Sequence, residues 1–89
     1  MSGKDKGSDI EAFILVKVEA GKEKDVTAYV ENMKMITEAS LIYGAYDLIL
    51  KVQAPLPEKL DEFIFNELRR INGIKETATY IVASTVIKR

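Results

Sequence analysis

Residues 41–50 read LIYGAYDLIL: two apolar runs on either side of Gly44-Ala45, with one carboxylate, Asp47, just past the pair. On the N-terminal side, Ile36–Tyr43 alternates as a strand should. Thr37, Ala39, Leu41 and Tyr43 fall on one side; Ile36, Glu38, Ser40 and Ile42 fall on the other. On the C-terminal side, Tyr46, Leu48, Leu50 and Val52 alternate with Asp47, Ile49, Lys51 and Gln53. Glycine at the first central position of a two-residue loop tolerates the positive φ of a type II′ turn. The stretch therefore predicts an antiparallel hairpin, with strands over Ile36–Tyr43 and Tyr46–Gln53.

The flanking segments complete the pattern. EAFILVKV, residues 11–18, is short, β-branched and apolar on both faces over most of its length, as a buried strand is. In DVTAYVENM, residues 25–33, Val26, Tyr29, Val30 and Met33 recur at helical spacing. After the hairpin, APLPEKLDEF opens a second helix with Pro57 in its first turn. Leu60, Ile64, Leu68 and Ile71 make its apolar stripe, widened by Phe63, and Asn72-Gly73 is a stop signal. A last strand follows over Lys75–Ser84. Weak internal repeats fall in register with these elements. VKVEA at 16–20 matches LKVQA at 50–54, and ITEAS at 36–40 echoes IKETA at 74–78. They divide the chain into two βαβ halves. Right-handed crossovers put both helices on one face of a four-stranded antiparallel sheet, the α+β ferredoxin-like βαββαβ arrangement.

Composition bounds what such a domain can do. At 89 residues the chain makes one small domain, burying only about 60–65% of its unfolded surface, and domains of this size often gain stability by self-association. Residues 1–9 read as a flexible tail, 10–86 as the domain and 87–89 as its end. Without Cys or His there are no disulfides, no thiol or imidazole catalysis and no zinc finger. A net charge of -1 gives no basic footprint for nucleic acid. No apolar run approaches the roughly 20 residues of a membrane span, and no signal peptide is visible; a cytoplasmic protein is expected. No catalytic constellation, phosphate loop, metal site or cofactor motif is expected either. One sheet face is left bare by the helices, and neither face is polar enough for solvent: in the first strand Phe13 and Leu15 oppose Ala12, Ile14, Val16 and Val18 with Lys17 the one charge between them, and the third keeps Ile49 opposite Leu48, Leu50 and Val52. A bare face of that kind is uncommon on a monomer, so two copies are expected to cover each other's sheets as a homodimer.

Asp47 then has two readings. It can accept backbone N–H groups and fix the turn, or it can meet a cationic group such as an α-ammonium through a charge-assisted hydrogen bond. Thr77 and Thr79 share one side of the last strand and can be plain strand formers. Tyr43 and Tyr46 bracket the turn as a cross-strand pair or as ligand walls.

Gly44-Ala45-Tyr46-Asp47 followed by Leu48-Ile49-Leu50, in this βαββαβ setting, resembles the hairpin of the Lrp/AsnC regulator family's effector-binding (RAM) domain. AFILVKVEAGKEKDV is similar to that family's first strand and glycine-containing loop, and INGIKETATYIVAS to its closing segment. The resemblance spans about residues 11–84. It implies a stand-alone effector domain lacking the helix-turn-helix unit. It further implies dimerisation through the sheets, assembly of dimers into rings such as octamers, and a small effector, commonly an amino acid, held near the hairpin. The residues it points to are Tyr43, Gly44, Ala45, Tyr46, Asp47, Thr77 and Thr79, which moves Asp47 towards the effector site. Ala45 departs from the family pattern, where many relatives carry a polar or acidic residue. Regulation through co-assembly with full-length relatives follows as an expectation. A ligand-free interaction module and a small dimeric α/β-barrel enzyme are the rival readings.

Overall fold

The computed structural model describes residues 9–89; the tail expected over 1–9 lies, apart from Asp9, outside them. Four strands and two helices follow in the expected order: β1 (Ile10–Val18), α1 (Glu23–Val30), β2 (Ile36–Leu41), β3 (Leu48–Ala54), α2 (Pro57–Asn66) and β4 (Ile74–Ile81). The sheet order is β2-β3-β1-β4 and every neighbouring pair is antiparallel. The ferredoxin-like reading is correct.

One face of the sheet holds the core. Ala12, Ile14, Val16 and Val18 of β1 and Leu48, Leu50, Val52 and Ala54 of β3 are buried against Val26 and Val30 of α1 and Leu60, Phe63 and Ile64 of α2. No polar or charged side chain is buried among the described residues. The period-2 strands and period-3.6 helices thus bury the stripes their sequences present.

Five expectations need correction. The α2 stripe survives but its helix does not run through it. The α-helix ends at Asn66, and a 3₁₀ turn over Leu68–Arg70 tightens the chain so that Leu68 and Ile71 still reach the core. Gly73, at φ +110°, then passes so close to α1 that a Cβ would lie 2.8 Å from the Lys22 Cβ. In α1, Met33 falls beyond the helix and Tyr29 is exposed; only Val26 and Val30 are buried. In β2 the expected faces are broken by a bulge between Ile36 and Glu38. Ile36 lies opposite Val52, Ala39 opposite Leu50 and Leu41 opposite Leu48, so all three share the helix side despite their mixed parity. β4 ends at Ile81, short of the expected Ser84. Its partner β1 begins at Ile10, and a last bond from the Val82 N–H to the Glu11 carbonyl, 2.8 Å, closes the ladder.

The hairpin is the fifth. Its register is the one a two-residue loop demands, since Leu41 pairs with Leu48 and the Ile42 N–H donates to the Asp47 carbonyl at 3.0 Å. The expected Tyr43–Tyr46 pair does not form, and Gly44, at φ +139°, is not in the type II′ conformation. The chain is instead drawn away from β2 towards β1 and β4.

Candidate functional site

The ties that draw the loop across are side-chain contacts made by three consecutive residues. The Lys17 ammonium donates to the Ala45 carbonyl at 2.8 Å. The Tyr46 hydroxyl donates to Glu76 Oε2 at 3.2 Å. Asp47 Oδ2 accepts the Val18 N–H at 2.8 Å, while its own N–H donates to the Val16 carbonyl at 2.9 Å. The ladder between β1 and β3 stops at Val16 and Leu48, so Val18 has no β3 residue opposite it. The Asp47 carboxylate supplies the acceptor that the strand no longer offers.

These residues gather at one end of the sheet face opposite the helices. Lys17 and Glu76 are cross-strand partners there, and the Lys17 ammonium lies 5.9 Å from the centre of the Tyr46 ring. Strict alternation would have put Tyr46 on the helix side with Leu48; the open loop lets its ring swing over the other face. Hydrogen bonding to Glu76 raises the Tyr46 phenol above its ordinary pKa. The Glu76 charge, partial burial and Tyr80 act in the same direction.

The other half of the loop is free. Tyr43 is fully exposed, and nothing lies within 4 Å of where a Gly44 Cβ would be. The structure thus brings together Ala45, Tyr46 and Asp47 and leaves Tyr43 and Gly44 projecting beside them. It does not bring Thr77 and Thr79 to this place. They lie opposite Val16 and Ile14, on the helix side of the sheet. There they line a groove of about 370 Å³ against α2, with Leu60, Ile64, Phe65 and Arg69. A second groove on the helix side, about 500 Å³, runs between α1 and β2 and includes Thr27, Val30, Ile36, Ala39 and Leu41.

Lys17 and Glu76 were not picked out by sequence reading. Each is an ordinary strand charge until the pairing of β1 with β4 sets them side by side. The signal available was that Lys17 is the one charge inside an otherwise apolar first strand, Phe13–Val18. Among the described residues, no group of three or more acidic side chains is placed to hold a metal ion.

Away from this end, the same face carries Phe13, Leu15, Ile49 and Ala78, half-buried, and Tyr80, 59% exposed. Charge flanks the patch: Lys51 pairs with Glu11 at 3.5 Å and lies 6.0 Å from the Phe13 ring.

The family model of the Lrp/AsnC ligand binding domain matches residues 11–89. The chain belongs to this family. Among curated relatives, it is 36% identical over 76 residues to the HTH-type transcriptional regulator FL11 of Pyrococcus furiosus, covering 85% of this chain and 50% of that protein. It is 32% identical over 78 residues to the HTH-type regulator PH0140 of Pyrococcus horikoshii, covering 88% and 49%. The chain spans about half the length of the curated relatives it matches. Among solved structures, the fold superposes on Escherichia coli AsnC with a TM-score of 0.90 at 29% identity, covering 100% of this chain and 60% of that one. The P. horikoshii protein PHS023 gives 0.77 at 38% identity, covering 86% and 93%. This RAM domain is thus a regulatory ligand-binding module whose homologues are transcriptional regulators, which points away from an enzyme. No helix among the described residues is long and apolar enough to cross a membrane.

Proposed function

We propose that this RAM domain is a small-molecule sensor that binds an amino acid at the hairpin loop and self-assembles. The observation that carries the reading is the loop itself. In a domain of a ligand-binding family, residues 45–47 are fastened to β1 and β4 while Tyr43 and Gly44 stand free. A loop fixed on one side and open on the other offers preorganised backbone N–H groups at Gly44 and Ala45 to a carboxylate. The Asp47 carboxylate, with one oxygen on Val18, offers the other to an ammonium. Thr77 and Thr79 occupy the opposite face of the sheet in the same chain, so a site using both takes its threonines from a neighbouring copy.

Self-assembly rests on the open face. An apolar centre of Phe13, Leu15, Ile49, Ala78 and Tyr80 with charges around it has the anatomy of an interface core and rim. Two such sheets covering each other make the homodimer, and dimers assemble further into a ring such as an octamer. Co-assembly with full-length regulators of the family would carry the effector signal to DNA in the cytoplasm, without direct nucleic-acid contact by this chain.

Thermal-shift screening of the twenty amino acids, with oligomer size followed in parallel, tests the reading. A ligand at 100 times its Kd adds about 2.7 kcal/mol to stability. Absence of a shift with every amino acid at millimolar concentration would overturn amino-acid sensing. Asp47→Ala should abolish the shift; unchanged binding would confine Asp47 to its bond with Val18.

A further inference from the structure

We propose that Lys17 and Glu76 are positioning residues of the effector site: they hold the 43–47 loop in the one conformation that presents its free half to the ligand. The inference rests on the reading of the hairpin as that site and adds two residues that hairpin sequence does not contain. The geometry behind it is specific. Lys17 and Glu76 face each other across β1 and β4, and each is engaged by a different loop residue. Lys17 fixes the Ala45 carbonyl, which sets the plane of the Ala45–Tyr46 peptide and so restrains Ala45, whose own N–H is one of the two proposed donors. Glu76 fixes the far end of Tyr46, whose ring also lies beside the Lys17 ammonium. No salt bridge within 4.0 Å takes up Lys17 among the described residues, so its directed donor is spent on the loop.

The loop needs such ties. It is not a regular turn, pairing stops short of Tyr43 and Tyr46, and a Cβ built on Gly44 would meet nothing within 4 Å. An unrestrained loop of this length loses conformational freedom on binding, and prior fastening removes that cost. Lys17 and Glu76 touch no ligand in this scheme and act through Ala45 and Tyr46.

The test uses the full chain and six variants. Tyr46→Phe and Glu76→Leu each remove the same bond, so each should quicken amide exchange at Ile42 and Asp47 about fivefold, and the double variant should be no worse than either single one. Glu76→Gln, which keeps an acceptor, should restore slow exchange. Lys17→Met should behave as Tyr46→Phe does, and Lys17→Arg should restore it. With an amino acid that shifts the wild-type melting temperature, the disabling variants should weaken Kd about tenfold, while the ligand-free melting temperature falls by no more than the few degrees that one exposed hydrogen bond contributes. Unchanged exchange in the variants, additive effects of Tyr46→Phe and Glu76→Leu, or quickened exchange with unchanged affinity would each overturn the inference. If the wild-type chain binds no amino acid, the effector reading fails, and exchange at Ile42 and Asp47 still decides whether these residues hold the loop.

Discussion

Asp47 engages β1 by both its backbone and its side chain and β2 by its carbonyl, so one residue joins three strands at the mouth of the hairpin. Removing its carboxylate strands the Val18 N–H at a partly buried position. Asp47→Ala should therefore lower stability by about 1–2 kcal/mol in urea unfolding, and Asp47→Asn, which keeps an acceptor, by less. Gly73 is bound by two constraints together, a left-handed φ and a contact with Lys22 and Val26 closer than a Cβ allows. Gly73→Ala should cost about 2 kcal/mol or more, whereas Gly44→Ala, strained but open to space, should cost about 1 kcal/mol. Tyr46 adds a pH dependence. Its folded pKa stands above the ordinary 10.0 because Glu76 accepts its proton in a hydrogen bond. The folded chain holds that proton more tightly than the unfolded one, so this contribution is fully present below about pH 10 and is lost as pH rises through the raised value. Absorbance titration of the phenols should show one tyrosine ionising late, and Glu76→Leu should return it to the ordinary range.

At the scale of elements, the strands and helices were legible because their burial follows simple periods. β1 and β3 bury alternate residues without a break. Where the structure departs from expectation, a tertiary demand overrides the period. The bulge in β2 rotates Ile36 onto the side of Ala39 and Leu41, because the core beneath α1 needs it there. The 3₁₀ turn after α2 keeps Leu68 and Ile71 buried while bringing the chain down to β4. Phe63, at the centre of α2 and 2% exposed, should cost about 3–5 kcal/mol on replacement by alanine, and Leu68→Ala about 2–5 kcal/mol although it lies outside the α-helix. Chemical denaturation of the two variants checks whether the 3₁₀ turn belongs to the core as fully as the helix does. The exposed Lys59–Glu62 pair, 3.7 Å apart, should contribute under about 1 kcal/mol and fade with salt.

For the whole molecule, the decisive surface is the open face of the sheet. Leu15 and Ile49 are cross-strand partners at its centre, so Leu15→Lys places a charge where a second sheet would pack. The wild-type chain should sediment as a multiple of 10.0 kDa and Leu15→Lys as a single chain; a wild-type monomer at micromolar concentration would remove the dimer from the proposal. The sequence by itself determined the order of elements, the two βαβ halves, the hairpin register and the family, because each is encoded in local periodicity, turn residues and a short motif. Tertiary structure alone decided the shape of the loop and the company Asp47 keeps. Lys17, Tyr46 and Glu76 are separated by 29 and 30 positions in the chain and meet only because β3 and β4 both pair with β1. It also set Thr77 and Thr79 on the opposite face from the hairpin. Alternation reveals that two residues share a side of their own strand, but which side that is depends on the strand it pairs with.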